Sequence, residues 1–354
     1  MKKTLAVCGT FGDDGKPSGY ANHAIVLNND GFTIINGGTL ADLEAAFVAT
    51  QSVDVVIWMP KVDNDVHKYV DQIKVNNPHA YLVISKSNIN KQYSTLELIA
   101  RALRAKANLL VEFTRIGGQI AATILDPLGN AFTYQETDVL KVKKELWDRL
   151  DDIVQFTRAS SFPTSLMVPS INEEQTKFIE IARNAAQNFH SLVHAVNQER
   201  FVGNLSFRCE NGFPSMRSGD GIFVSRRNVD KRTLSAQDMV YVRLDHLPDV
   251  YYSGSAKPSV DTPVQKWLYA LMPKIQYMLH GHVYLKNPDF TTAEPIPCGA
   301  LEETSAIMGD HWWYDRSHIS AKINLKGHGF LILATDLKVF ENIEYVERAL
   351  PEII

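Results

Sequence analysis

The residues best equipped for chemistry lie in Met278-Leu279-His280-Gly281-His282-Val283-Tyr284. His280 and His282 stand two positions apart in an apolar, strand-like run. Side chains at i and i+2 of a strand share a face, so both imidazoles can converge on one metal ion. Gly281 between them is expected to open room on the other face. A third imidazole, His328, sits in Lys326-Gly327-His328-Gly329, just before the apolar run Phe330-Leu331-Ile332-Leu333. Three neutral imidazoles with a fourth position open describe a catalytic metal site rather than a structural one. Such a site takes Zn, Fe, Ni or Cu on affinity alone, and availability decides among them. The expected cofactor is therefore a divalent metal, with zinc the leading choice.

Elements must hold these groups in place. Residues 1–165 alternate short apolar strands with helical patterns. The strands are Thr4–Cys8, Phe32–Asn36, Asp54–Met59, Ala80–Ile84 and Asn108–Phe113. This alternation predicts a parallel sheet covered on both faces, here called Rossmann-like. Gly117 to Tyr134 reads as a terminal hairpin, and Asp138 to Arg158 as a long amphipathic helix. Ala159–Ser165 reads as a linker. Residues 166–354 form the second domain. It opens with a helix from about Asn172 to Val196. Strands follow at Phe201–Phe207, Gly221–Ser225, Met239–Leu244, Tyr277–Tyr284 and Gly329–Ala334, with helices near Pro263–Leu271 and Glu302–Ile307. The fold class is α/β in the first domain and mixed α and β in the second.

Composition narrows the partners. The chain has 354 residues, 45% hydrophobic and 21% charged, which is ordinary for a globular protein. A net charge of −4 gives no general basic field for nucleic acid or an anionic membrane surface. No run approaches the ~18 apolar residues of a membrane span. The first apolar run, Leu5-Ala6-Val7-Cys8, is too short for a secretion signal. Three cysteines (Cys8, Cys209 and Cys298) are scattered without CxxC spacing, which suits a reducing cytoplasm.

Further motifs accompany the histidines in order. Gly203-Asn204-Leu205-Ser206 follows the opening helix. Arg226-Arg227-Asn228-Val229-Asp230-Lys231 comes next, then Ser259-Val260-Asp261-Thr262-Pro263, Ile296-Pro297-Cys298-Gly299 and Gly327-His328-Gly329. This order resembles the class II aldolase/adducin family over about residues 170–350. That family contains sugar-phosphate aldolases, ribulose-phosphate 4-epimerases, methylthioribulose-phosphate dehydratases and the non-enzymatic adducin heads. The resemblance implies a three-layer α/β/α sandwich around a mainly antiparallel sheet, assembled as a homo-oligomer, usually a tetramer. It implies metal ligands at His280, His282 and His328, with Gly327 where the family has asparagine. It also implies a catalytic carboxylate at Asp261. Gly203, Asn204, Ser206 and Ser259 would line the pocket of a small carbohydrate-like substrate.

Two departures qualify the substrate. The family's Ser-Gly pair becomes Arg227-Asn228, and one serine of its Ser-Ser pair becomes Val260. The phosphate side is thus remodelled, and Arg226 or Arg227 can grip a phosphate or carboxylate instead. The leading expectation is a metal-dependent lyase of aldolase type. A 4-epimerase, a dehydratase and a non-catalytic adducin-like assembly module stand as alternatives, as does catalysis in the first domain.

Blander readings accompany several groups. Asp261 before Thr262-Pro263 also suits a helix N-cap. The patch His311-Trp312-Trp313-Tyr314-Asp315 with His318 reads as packing or a subunit interface. Cys298 reads as structural. Gly9-x-x-Gly12-x-x-Gly15 matches neither GxGxxG nor a P-loop. Gly37-Gly38-Thr39 reads as a plain turn.

Overall fold

The computed structural model describes residues 3–8, 32–36, 45, 55–58, 81–87, 92–138, 140–141, 144–146, 148, 161–194, 203–209, 221–296, 298–309 and 320–350. The chain divides into two compact units, Met1–Gln155 with Leu350–Ile354, and Phe156–Ala349.

Among the described residues the first unit is built on a 7-stranded sheet. Its strands are β1 (Lys3–Cys8), β2 (Phe32–Asn36), β3 (Val55–Trp58), β4 (Tyr81–Ser87), β5 (Leu109–Ile116), β6 (Gln119–Leu125) and β7 (Ala131–Glu136). They lie in the order β2-β1-β3-β4-β5-β6-β7. β1 to β5 are parallel; β6 and β7 add antiparallel pairs. The five expected strands and the hairpin are present, but the sheet is mixed rather than parallel, and it does not establish a Rossmann domain. Helix α1 (Thr95–Arg104) starts with a capping box between Ser94 and Glu97 and buries Leu98, Ile99 and Ala102. Gly9–Gly15 and Gly37–Thr39 fall outside the described residues, as does most of 138–158.

The second unit carries a 9-stranded sheet among its described residues. Its strands are β8 (Ser161–Thr164), β9 (Asn204–Arg208), β10 (Gly221–Ser225), β11 (Met239–Arg243), β12 (Val250–Ser253), β13 (Tyr277–Gly281), β15 (Phe290–Thr291), β16 (Ala321–Leu325) and β17 (Gly329–Ala334). The order is β15-β16-β17-β13-β9-β10-β11-β12-β8. Neighbours are antiparallel except at the two edges, β12–β8 and β15–β16. A separate pair joins β14 (Tyr284–Leu285) to β18 (Tyr345–Val346).

Period-2 alternation splits the side chains between two cores. Leu205, Phe207, Tyr277, Leu279, Phe330 and Ile332 pack with Phe178, Ala182 and Phe189 of helix α2 (Glu173–Phe189). On the opposite face, Met278, Leu331 and Leu333 pack with Val264, Leu268 and Tyr269 of helix α3 (Thr262–Leu271) and Ile307 of helix α4 (Glu302–Met308). The result is helix, sheet, helix: the expected sandwich, with parallel strands only at its rims.

Several expectations change. α2 begins as read, with Asn172 and Gln175 forming a capping box, but it ends at Phe189 and continues as the 3-10 turn His190–Leu192. The expected linker contains β8, which pairs with β12; its Pro163 is tolerated because β8 is an edge strand. The expected strand Tyr277–Tyr284 breaks after Gly281 and resumes as β14. Residues 310–319, with the aromatic patch, lie outside the described residues. No helix among the described residues is long and apolar enough to cross a membrane.

Candidate active site

The site forms where the ends of β13, β17 and β9 meet the start of α3. His280 pairs across the sheet with Asn204 on β9 and Leu331 on β17. Asn204 and His280 therefore project to the α3/α4 face. His282 follows β13 and His328 precedes β17. The three rings close on one another, with centroids 5.0 Å apart for His280–His282, 4.6 Å for His280–His328 and 5.0 Å for His282–His328. All three residues are buried, and one ring nitrogen from each lies within 4.8 Å of the others.

Hydrogen bonds fix two of the rings. His280 Nδ1 donates to the Phe330 carbonyl at 2.7 Å, and a carbonyl can only accept. Nε2 of His280 then carries the lone pair; it is buried with no hydrogen-bond partner. His328 Nδ1 lies 2.7 Å from Glu303 Oε1. His282 Nδ1 is buried and unpartnered as well. A buried imidazole nitrogen with no partner is costly unless something binds there. The donor set, three buried imidazoles of which His280 and His328 are backed by oxygens on their far sides, fits a divalent ion.

Electrostatics agree. Burial, and then the nearby His328, push His280 down to about 4, against the upward pull of Asp261 and the Phe330 carbonyl. His282 is held well below its ordinary value by burial and by His328 and His280. Both rings are neutral at neutral pH, the form that binds metal.

Asp261 occupies the N-cap position of α3, yet its side chain makes no capping bond. The backbone carbonyl bonds Gln265 N at 3.0 Å instead. The carboxylate turns to the histidines: Asn204 Nδ2 donates to Oδ2 at 2.6 Å, Cys298 Sγ donates to Oδ1 at 3.0 Å, and His280 Nε2 is 3.9 Å from Oδ2. Gln265 in turn donates to Asn204 Oδ1. Burial favours the protonated acid, but His280, His328, the Cys298 bond and Arg227 outweigh it, and the Asp261 pKa is lowered.

The other expected residues take distinct places. Ser259 Oγ is 3.5 Å from Asp261 Oδ2 and 3.4 Å from its amide. Arg227 is exposed; its backbone bonds Lys257 O at 2.8 Å, beside the Pro258–Ser259 strip. Crowding lowers the Arg227 pKa and the Asp261 charge raises it. Arg226 is committed to an ion pair with Asp238 at 2.8 Å. Ser206 is fully buried, and its hydroxyl is 3.1 Å from Tyr269 Oη, one pleat beyond Asn204. Gly203, at φ +84°, lies against the His280 carbonyl. Gly281 leaves no room on its far face: a Cβ there would meet Phe330 at 2.6 Å and Phe189 at 3.0 Å. Its smallness admits those rings rather than a ligand.

Three groups escaped the sequence reading. Glu303 backs His328. Cys298, read as structural, touches Asp261; the fold supplies that contact, and its spacing gave no sign of it. Lys231 is buried in a 3-10 turn, its pKa lowered to about 8 by burial against the charges of Asp261 and Asp230. It also presses the His280 and His282 pKa values down.

A buried trio of histidines on a largely antiparallel sheet, with a carboxylate at the head of the neighbouring helix, makes a candidate metal site in an α/β sandwich. Residues 183–351 match the Class II Aldolase and Adducin N-terminal domain. A methylthioribulose-1-phosphate dehydratase of Acidiphilium cryptum is 33% identical over 81 residues, 23% of this chain and 33% of that protein. The chain thus spans a third of the length of that curated relative. Among solved structures, a sugar-phosphate aldolase from Thermotoga maritima aligns at 12% identity and TM-score 0.32, over 46% of this chain and 88% of its own. An L-fuculose 1-phosphate aldolase from Glaciozyma antarctica aligns at 10% identity and TM-score 0.27, over 48% and 70%.

Proposed function

We propose that this chain is a divalent-metal-dependent lyase of aldolase type, acting on a small carbohydrate-like compound that bears an anionic group. The observation that carries this reading is the pair of orphaned, buried imidazole nitrogens on His280 and His282, set beside a buried carboxylate that does not cap its helix. His280, His282 and His328 hold the ion, most readily zinc. When bound, it supplies Lewis acidity toward the carbonyl and hydroxyl oxygens of the substrate. Asp261 moves the proton, its Oδ2 held by Asn204 and its Oδ1 by the Cys298 thiol. Ser259 and the Gly203–Asn204 strip line the pocket beside Asp261, with Ser206 behind them. Arg227 serves as the anion clamp in place of the lost Ser-Gly backbone, supported by its exposed place beside the Pro258–Ser259 strip. The working protein is a cytoplasmic homo-oligomer, of which the tetramer is the leading form, and the first unit is a Rossmann-like domain.

A dehydratase is the second reading, favoured by the methylthioribulose-1-phosphate dehydratase relative. The same ion and proton carrier would serve loss of water next to a carbonyl. One experiment addresses both. Purified protein is analysed for metal, then incubated with a panel of ketose phosphates and ketose acids while aldehyde release and water loss are followed separately. About one zinc-class ion per chain is expected, and a His280→Ala/His282→Ala variant should lose it. Normal metal content in that variant refutes the site. A metal-bound chain that neither cleaves nor dehydrates any member of the panel leaves the adducin-like, non-catalytic role in possession.

A further inference from the structure

Glu303 belongs to no expected ligand set, yet it is 4% exposed and sits 2.7 Å from His328, itself 1% exposed. Its placement is built. Gly299, at φ +77°, lies against Val260 and turns the chain into the first turn of α4, where the Glu303 amide bonds the Ala300 carbonyl at 3.1 Å. Ile307, one turn on, is fully buried in the core beneath the sheet. The carboxylate is therefore delivered to His328 by a docked helix rather than by a mobile surface side chain.

We propose that Glu303 is the positioning residue of the metal site: it fixes the tautomer and aim of His328, so that Nε2 faces the ion and α4 docking becomes part of metal binding. The inference rests on the metal reading above. With Nδ1 of His328 held 2.7 Å from Glu303 Oε1, Nε2 is the ring nitrogen available to an ion. His280 is set by the same device, but its acceptor is the Phe330 backbone, which substitution cannot remove. His328 is the ring whose acceptor is a side chain, and so the one that can be tested. Acceptors behind metal-binding imidazoles raise ligand basicity and hold the ring against rotation. Asp261 does not do this work, since the partners its oxygens hold are Asn204 and Cys298 rather than an imidazole Nδ1.

The test is a zinc competition titration against a chromogenic chelator on the metal-free full chain. Glu303→Ala should bind zinc about 10–100-fold more weakly than the unmodified chain. Glu303→Gln keeps an acceptor oxygen and should stay within about fivefold, and Ser305→Ala, exposed on the same helix, should match the parent. Melting of the metal-free proteins checks that each is folded. If Glu303→Ala does not fold, Glu303→Asp carries the test, its carboxylate one methylene short: a loss above about fivefold supports the proposal, and none overturns it. Parent-like zinc binding by a folded Glu303→Ala overturns it, as do equal losses in the Gln and Ala variants. Failure of the unmodified chain to bind zinc overturns the metal reading itself.

Discussion

Gly203→Ala is the sharpest probe of how the sheet holds its histidines. Residue 203 adopts φ +84°, a left-handed conformation that costs a residue with a Cβ about 1–2 kcal/mol. The new methyl carbon would also stand 2.6 Å from the His280 carbonyl oxygen and 3.2 Å from Gly281 Cα. Both are backbone atoms in the centre of a sheet, so relief requires β13 to shift, at a further cost of about 1–3 kcal/mol typical of overpacking. For a unit of this size each kcal/mol lowers Tm by roughly 2–4 °C, so a fall of roughly 4–20 °C is expected. Gly254→Ala is the internal control. Its φ is +82°, but nothing lies within 4 Å of the added carbon, so only the conformational cost applies. Thermal melts of the metal-free proteins give the two costs. Zinc titration then reads the displacement, because the atom struck belongs to His280, and Gly203→Ala should bind more weakly while Gly254→Ala does not. Equal Tm losses with unchanged zinc affinity would refute the reasoning.

Other expectations are independent of that one. His280, depressed to about 4 from the ordinary 6.5, stays neutral in the folded chain while the unfolded chain takes up a proton, so the metal-free protein should lose stability as pH falls from 6.5 toward 4. Chemical denaturation at pH 7 and pH 5 should differ by about 2 kcal/mol from this ring alone, and a flat profile would contradict its burial as a neutral group. Asp261→Asn should keep its metal while kcat falls about 10²–10⁴-fold; simultaneous loss of metal would make Asp261 a ligand rather than a proton carrier. Cys298→Ser preserves a donor to Asp261 and should retain most activity, whereas Cys298→Val removes it and should raise the pH at which activity appears, as read from the pH dependence of kcat/KM. Saturating zinc at about 100 times its Kd should stabilise the chain by about 2.7 kcal/mol in melts, an effect the His280→Ala/His282→Ala variant should not show.

What could be read in the sequence follows from how local each signal is. The histidine pair on β13 and the apolar run of β17 are local patterns, and the structure brings His280, His282 and His328 together as their spacing and order suggested. The two-sided alternation in β9 and β13 is equally local. Short strands toward the two rims were harder: β12 and β15 are four and two residues long, too short for periodicity to register. β16, Ala321-Lys322-Ile323-Asn324-Leu325, does alternate, but its polar Asn324 is buried and answers the backbone of Leu285 through both side-chain atoms. Glu303, Lys231 and Cys298 depend on contacts between distant segments. In the sequence each is an ordinary charged residue or an isolated thiol, and only the fold turns it toward the histidines. Asp261 does stand at the N-cap, but its side chain makes no capping bond, since Asn204, 57 residues away, competes for the carboxylate that a helix start would otherwise use.

The histidines and the carboxylate come from different layers: His280, His282 and His328 hang from the sheet, while Asp261 stands at the head of a helix laid across it. Such a division separates what can vary from what cannot. Exchanging the residue at 261, or the loop leading to it, would alter the proposed proton carrier without touching the strands that carry the histidines. Exchanging residues near 227 would alter the proposed anion clamp, again without disturbing them. A scaffold arranged this way can change its reaction one helix start at a time, and laboratory evolution of this chain should concentrate its useful mutations on residues 225–228 and 257–262, leaving β13 and β17 alone.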